Sequence, residues 1–395
     1  MLIELLIFIF LGILVGAITG LIPGIHINLV GVFLVTASAS YLVFINPIYL
    51  IVFISALAIT HTFVDFIPSI FLGCPDTDTS LSTLPGHKML KDGQGYQAVM
   101  LSIYGCLSAI FVLIILSLIL LNINFSFYNS IQKIMWAILT GILCVMILSE
   151  KNKFQSLIVI ILTGILGICV LNLENLKEPL FPLLTGLFGS SMLIISIKNK
   201  TKISKQKIEK PKVKFTKPIL GSLIASPLCG LLPGLGSGQA AIIGNMIVKT
   251  DEKSFLVLLG ATNTLVMGIS FLGIYLISKS RTGAAAAISQ LAETVSLKLV
   301  LLILVVVLIS GIISFFITKF LAQKLANKIS EINYTKMSIG VLIFIFVVTF
   351  LISGPLGIVI LAISTLTGIY CMQLNVKKTN MMGCLLIPTI IYYLA

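Results

Sequence analysis

Apolar residues in this chain come in about a dozen runs of about 20 residues each. A run of that length crosses about 30 Å of hydrocarbon as an α-helix, and a soluble core has no need of so many. The composition agrees, since 58% of the residues are hydrophobic and only 10% are charged. The short alternating segments of a transmembrane barrel are absent from the sequence. The predicted fold is an all-α polytopic membrane protein with about 10–14 membrane helices, including broken or re-entrant segments.

Three short motifs of the first half return about 200 residues later in the second half. The pairs are Leu21–Ile25 with Leu231–Leu235, Thr60–Thr62 with Thr262–Thr264, and Leu162–Ile165 with Leu366–Ile369. We therefore predict a duplicated unit, with membrane repeat 1 over residues 1–197, a basic linker over 198–217 and membrane repeat 2 over 218–395. Two hydrophobic copies, each interrupted by Pro-Gly, are typical of a secondary transporter.

Each half divides into seven apolar elements. They are predicted near 3–22, 25–46, 48–72, 96–121, 128–149, 154–173 and 179–197, and then near 218–233, 235–249, 255–278, 296–320, 337–353, 355–374 and 381–395.

The net charge of +13 is concentrated between the halves, where residues 198–217 hold nine lysines and one glutamate. Such a cluster marks a solvated cytoplasmic connector of a membrane protein, so we expect no nucleic-acid partner. Contact with anionic lipid headgroups is a secondary expectation.

Equivalent loops of the two halves differ in charge, and the lysine-rich side changes at each of three positions. The loops compared are 122–126 with 319–336, 150–153 with 353–355, and 174–178 with 377–378. By the positive-inside rule, the two repeats therefore have inverted topology. The linker then faces the cytoplasm, and both termini face outward. The alternative is chance charge placement in a parallel duplication. Inverted repeats that rock about a site near the bilayer midplane give alternating access.

The Pro-Gly motifs are the first candidate substrate site. A helix that starts after such a break presents amides without intrahelical partners and a positive dipole end, which attract anions. The runs that flank the second motif are short, which favours a re-entrant hairpin there. The alternative is a tight turn at the membrane surface. The candidate residues are Pro23, Gly24, His26 and Asn28 in the first half and Pro233, Gly234, Ser237 and Gln239 in the second.

The Thr-His-Thr and Thr-Asn-Thr motifs are the candidate ion-coupling site. Both lie well inside apolar elements, where polar groups are costly and usually face a cavity. His61 and Asp65 are one helical turn apart. Hydroxyl, amide and carboxylate oxygens there suit Na⁺, and the His-Asp pair suits a proton. The alternative is hydrogen bonding that holds helices together. The candidates are Thr60, His61, Thr62, Asp65, Thr262, Asn263 and Thr264.

Two loops complete the candidate set. Arg281 is the only arginine in a chain whose other 25 basic residues are lysines. Its guanidinium can pair with a carboxylate through two parallel hydrogen bonds, so Arg281 and Thr282 are predicted to bind substrate. The alternative is a cation that reaches the membrane interface. Asp76 and Asp78 form either a cation site or a turn with a helix cap.

At these residues the chain resembles the large membrane subunit of tripartite tricarboxylate transporters, the TctA family, as a divergent branch. The resemblance rests on both Pro-Gly motifs, the loop Cys74–Gly95, and the stretches Gly260–Gly268 and Met382–Pro388. His26 and Asn28 stand where glycine-rich sequence is usual. The resemblance implies a multi-spanning permease for citrate-like carboxylates. It also implies two partners, a small membrane subunit and an extracytoplasmic solute-binding protein.

The predicted function is a cell-membrane permease that uses an ion gradient to transport a small organic anion, di- or tricarboxylate-like. The alternative is a translocase of an anionic lipid carrier, or of another metabolite, on the same scaffold. An intramembrane enzyme or sensor is disfavoured, because the sequence pairs no nucleophile with a base. No catalytic residue, metal site or cofactor is predicted beyond coupling to Na⁺ or H⁺.

Overall fold

A computed structural model describes residues 2–22, 45–74, 78–123, 128–199, 203–232, 235–292, 294–331, 333–374 and 376–394. These residues form helices joined by turns and contain no strand. The α-helices in chain order are α1 (Leu2–Leu21), α2 (Pro47–Val64), α3 (Thr83–Lys91), α4 (Gly95–Leu120), α5 (Tyr128–Leu148), α6 (Lys153–Leu171), α7 (Leu180–Leu184), α8 (Ser191–Lys198), α9 (Thr216–Leu231), α10 (Ser237–Val248), α11 (Glu252–Leu276), α12 (Gly283–Leu291), α13 (Leu297–Ile329), α14 (Tyr334–Gln373) and α15 (Gly383–Leu394).

Nine stretches of the described residues are long and apolar enough to cross a membrane. The predicted polytopic helical fold is therefore confirmed. Two of these stretches contain π-helical turns, at Pro68–Leu72 in the span Pro47–Leu72 and at Thr185–Ser190 in the span Leu180–Lys198. Pro68 explains the first, because a proline ring displaces the carbonyl four residues earlier, that of Val64.

The 40-residue helix α14 corresponds to two predicted elements, and its backbone shows where they divide. Gly354 has φ 67° and ψ −165°, which lies outside the helical region, and Pro355 follows it. Only glycine adopts this conformation without strain, and proline then removes one helical hydrogen bond. The break falls where the sequence predicts the boundary between 337–353 and 355–374.

The chain forms two compact units. Unit 1 contains Met1–Pro68, Tyr96–Phe125 and Lys207–Asn327, and unit 2 contains Ser69–Gly95, Ser126–Gln206 and Lys328–Ala395. Each unit thus draws segments from both halves of the sequence. The boundaries of the predicted repeats, and their inversion, remain predictions.

In unit 1, α1 packs along α2 through glycines at four-residue spacing. A Cβ atom on Gly12 would lie 2.5 Å from the carbonyl oxygen of Phe53, and one on Gly16 would lie 2.6 Å from that of Leu57. The two helices run parallel, because the contact from Gly12 to Phe53 is followed by the contact from Gly16 to Leu57. Small residues at this spacing let membrane helices approach closely.

Helices α9 and α10 of unit 1 form an antiparallel hairpin. Gly221, early in α9, faces Gly244, late in α10, and a Cβ on either would lie 2.8–3.0 Å from the other's carbonyl oxygen. The arms have 16 and 12 residues. At about 1.5 Å per residue, each is shorter than the roughly 30 Å of hydrocarbon that a spanning helix must cross. The short runs predicted on either side of the second Pro-Gly motif are thus present.

Candidate functional site

The Thr-His-Thr and Thr-Asn-Thr motifs meet in unit 1. They lie within the span Pro47–Leu72 and near the middle of α11, and their polar side chains are at most 4% exposed. We call this group the central polar cluster. Its members are Thr60, His61, Thr62, Asp65, Thr262, Asn263 and Thr264.

Direct hydrogen bonds join the two motifs. The hydroxyls of Thr62 and Thr264 are 3.2 Å apart. Because the Thr62 hydroxyl donates to the Ile59 carbonyl at 2.8 Å, Thr264 acts as donor in this pair. The Asn263 amide donates to Oδ2 of Asp65 at 3.1 Å and to the Thr62 carbonyl at 3.4 Å. Residues that match in the predicted duplication are therefore neighbours in space.

Asp65 occupies the end of a regular helix. It is the C-cap of α2, and its N–H donates to the His61 carbonyl at 3.0 Å. Two helical residues later, the π-helical turn Pro68–Leu72 begins. Asp65 therefore lies at the change from α-helical to π-helical turns inside the span Pro47–Leu72.

Three further side chains border the cluster, and the sequence reasoning did not select them. Nδ1 of His61 lies 3.2 Å from the Thr19 hydroxyl of α1. The Ser314 hydroxyl of α13 lies 2.8 Å from that of Thr60. The Cys106 thiol of α4 lies 3.4 Å from the Thr62 carbonyl. The only sequence signal for Thr19 and Ser314 is a hydroxyl within an apolar run, which many other positions share.

The ligand types of the cluster favour a monovalent cation or a proton. Hydroxyl, amide and carboxylate oxygens suit hard cations. Among the described residues, no three His, Cys, Asp or Glu side chains form a group that could hold a metal ion. With one carboxylate among neutral oxygen ligands, the cluster suits a hard cation of low charge, and Asp65 and His61 are residue types that carry protons.

Arg281 lies beside the second helix break. Its Nη2 donates to the Leu235 carbonyl at 2.9 Å and to the Cys229 carbonyl at 3.4 Å. Leu235 precedes α10 and Cys229 lies in the last turn of α9, so the half-buried guanidinium joins both sides of the break. The structure thus places Arg281 beside the residues that flank the second Pro-Gly motif.

Three other predicted substrate residues shape helix starts near this break. Ser237 begins α10 and is buried, and Oε1 of Gln239 accepts the Gly236 N–H at 3.0 Å. The Thr282 hydroxyl caps α12 by accepting the Ala285 N–H at 3.2 Å. It also lies 2.9 Å from the Ser270 hydroxyl of α11. Both helix starts belong to unit 1.

The remaining predicted residues are elsewhere. Pro23, Gly24, His26, Asn28, Asp76, Pro233 and Gly234 lie outside the described residues. Asp78 is half-buried in a turn of unit 2, just before the short 3₁₀ helix Ser80–Ser82. It is not part of the central polar cluster of unit 1.

Unit 2 contains a buried histidine network that the sequence did not indicate. Nδ1 of His87 donates to the Ile70 carbonyl at 3.2 Å, since a carbonyl can only accept. Its Nε2 then accepts from the Tyr334 hydroxyl. Both ring nitrogens are satisfied in the neutral form. Burial, together with the nearby Lys91 charge, lowers the pKa of His87 to about 3.

Acidification is expected to destabilise the protein through His87. Its folded-state pKa lies below the value of about 6.5 expected for an unfolded chain. The unfolded state therefore binds more protons below that value, and stability is lost as the pH falls from 6.5 towards 3. His87→Gln should flatten the fall of Tm between pH 7 and 5, measured on the purified protein in detergent. Lys88→Gln, at the neighbouring exposed position, should keep the wild-type slope.

The nine membrane-length helices among the described residues define a multi-pass membrane protein. The family model for the tripartite tricarboxylate transporter TctA family matches residues 6–383, and the chain belongs to that family. A Methanocaldococcus jannaschii protein named "Uncharacterized protein MJ1079" is 33% identical over 400 residues, covering 98% of this chain and 99% of the relative. No solved structure matches the chain. Membership of a transporter family favours transport over catalysis.

Proposed function

We propose that this protein is a cell-membrane permease that uses an ion gradient to drive transport of a small organic anion, di- or tricarboxylate-like. Its class, a membrane transporter, follows from its family and its helices. The observation that carries the proposal is the contact between the two duplicated motifs, Thr62 with Thr264 and Asp65 with Asn263. A carboxylate buried between apolar membrane helices is costly, and such residues usually mark an ion or proton site.

The coupling site in this proposal is the central polar cluster. Asp65 supplies the negative charge, and the hydroxyls of Thr62 and Thr264 with the amide oxygen of Asn263 supply neutral ligands. His61 is the proton-carrying group if the coupling ion is H⁺. This cluster joins helices from both halves. A cation bound there therefore favours the arrangement of those helices in which its ligands lie close together.

The substrate site in this proposal is the break between α9 and α10. Arg281 provides positive charge there, and the starts of α10 and α12 provide amides and the side chains of Ser237, Gln239 and Thr282. A bound anion would replace the Leu235 carbonyl as the partner of Arg281. Loss of that bond would loosen the α9–α10 hairpin, so substrate binding would be linked to movement of the hairpin.

The proposal includes inverted repeats and alternating access. Each compact unit combines segments of both sequence halves, as expected when two related copies build each working part of a transporter. With the charge pattern of the loops, this gives a cytoplasmic 198–217 linker and an outward C-terminus. A small membrane subunit and an extracytoplasmic solute-binding protein complete the proposed transporter.

Uptake into proteoliposomes tests the proposal. Labelled di- and tricarboxylates are offered with an imposed Na⁺ gradient, an imposed H⁺ gradient or neither, and saturable uptake that follows one gradient is expected. A thermal-shift screen of the same carboxylates reads binding without partner subunits, because a ligand stabilises the state that it binds. Absence of both a saturable shift and gradient-dependent uptake would contradict the proposal.

A further inference from the structure

A basic cleft of about 850 Å³ lies in unit 1, and none of its lining residues belongs to the central polar cluster. The end of the linker and the start of α9 form one wall, and the connection from α10 to α11 forms the other. The lining residues are Lys212, Val213, Lys214, Thr216 and Lys217 on the first wall and Lys249, Thr250, Asp251 and Ser254 on the second.

The charge of the cleft is strongly unbalanced. Four lysines line it against one carboxylate, that of Asp251. Asp251 is already engaged, since its Oδ1 accepts the Ser254 N–H at 3.2 Å and caps α11. Four exposed lysines on two walls of one open cleft give it a positive potential, which attracts an anion.

The wall that carries Lys249 is held in a fixed, unfavourable conformation. Lys249 has φ 47°, in the left-handed region that normally suits glycine or asparagine. Two hydrogen bonds maintain the connection, because Oδ1 of Asn245 accepts from the Thr250 N–H at 3.0 Å and from its hydroxyl at 2.7 Å. These bonds set the direction in which the Lys249 side chain leaves the backbone, beside the first wall of the cleft.

We propose that this cleft binds a phosphate group, either of an anionic lipid headgroup or of a soluble phosphate compound. A phosphate carries up to about two negative charges at neutral pH and accepts several hydrogen bonds, which matches several lysines better than a single carboxylate does. Helix α9 also starts in the cleft, at Thr216, and its first amides add positive potential there. This site is separate from the proposed carboxylate site and does not depend on which substrate is transported.

Binding is tested on the full-length protein in a neutral detergent by thermal shift. The probes are inorganic phosphate, dioctanoyl phosphatidic acid and, as a zwitterionic comparison, dioctanoyl phosphatidylcholine. The cleft variant is the triple K212Q/K214Q/K249Q. The control triple K205Q/K207Q/K210Q removes the same charge from exposed linker lysines that do not line the cleft.

The wild type and the control triple should show saturable stabilisation by a phosphate probe, and the cleft triple should bind about 100-fold more weakly. Saturation by inorganic phosphate indicates a soluble ligand, and saturation by phosphatidic acid alone indicates a headgroup. Equal loss in both triples, equal response to phosphatidylcholine, or no response to either phosphate probe overturns the proposal. Lys249→Gly provides a variant that relieves the backbone strain, so it should fold well and still bind several-fold more weakly; wild-type affinity in it also overturns the proposal.

Discussion

Asp65→Asn should strongly reduce ion-driven uptake while leaving the protein folded. Asparagine has nearly the volume of aspartate, and its amide oxygen can accept the bond that Asn263 now donates to Oδ2 at 3.1 Å. The negative charge is nevertheless lost. Two unit charges about 4 Å apart attract by about 4 kcal/mol at an effective dielectric constant of about 20. The amide oxygen recovers part of this, so a coupling cation should bind about 10- to 100-fold more weakly. The initial rate of gradient-driven uptake measures this loss.

Two controls separate coupling from damage to the fold. Glu209→Gln makes the same chemical change at an exposed position of the linker and should keep the wild-type rate. The Tm of Asp65→Asn should stay within a few degrees of the wild-type value. Exchange of labelled for unlabelled carboxylate without a gradient should persist if Asp65 serves only the ion. Gradient-driven uptake at the wild-type rate in Asp65→Asn would exclude the central polar cluster as the coupling site.

Much of the helical fold could be predicted because the bilayer imposes one length on every crossing. The runs near 96–121, 128–149 and 154–173 became α4, α5 and α6 with shifts of a few residues. Local chemistry was equally informative at Gly354, where a glycine before a proline divides α14. These features depend on neighbours in sequence, so the sequence contains them directly.

The candidate site was only partly predictable because its contacts join distant segments. The Thr-His-Thr and Thr-Asn-Thr motifs were found through their repetition, and they do meet, 202 residues apart at Thr62 and Thr264. Ser314 reaches Thr60 from 254 residues away, and nothing in its apolar run distinguishes it from Ser310. The pairing of His87 with Tyr334, 247 residues apart, likewise could not be predicted from the sequence. Packing decides such partners, and periodicity does not.

Arg281→Lys should weaken substrate binding even though the positive charge is retained. A lysine presents a compact ammonium group, which cannot make the two parallel bonds that a guanidinium makes with a carboxylate. Loss of one charge-assisted bond costs about 1.5–3 kcal/mol, so KM for the carboxylate should rise about 10- to 100-fold. Uptake measured over a range of substrate concentrations separates this rise from a fall in the maximal rate.

The contacts of Arg281 with the Leu235 and Cys229 carbonyls allow a second reading, in which Arg281 only ties α9 to the start of α10. That role predicts a lower Tm and a lower maximal rate with KM unchanged, because the hairpin would loosen without losing a ligand for the substrate. The substrate role predicts that a saturating carboxylate raises Tm in the wild type and much less in Arg281→Lys. Lys279→Gln, an exposed cation two residues away, should leave both KM and the ligand-induced shift unchanged. An unchanged KM in Arg281→Lys, with only the Tm lowered, would therefore move the substrate site away from this arginine while leaving the coupling cluster around Asp65 intact.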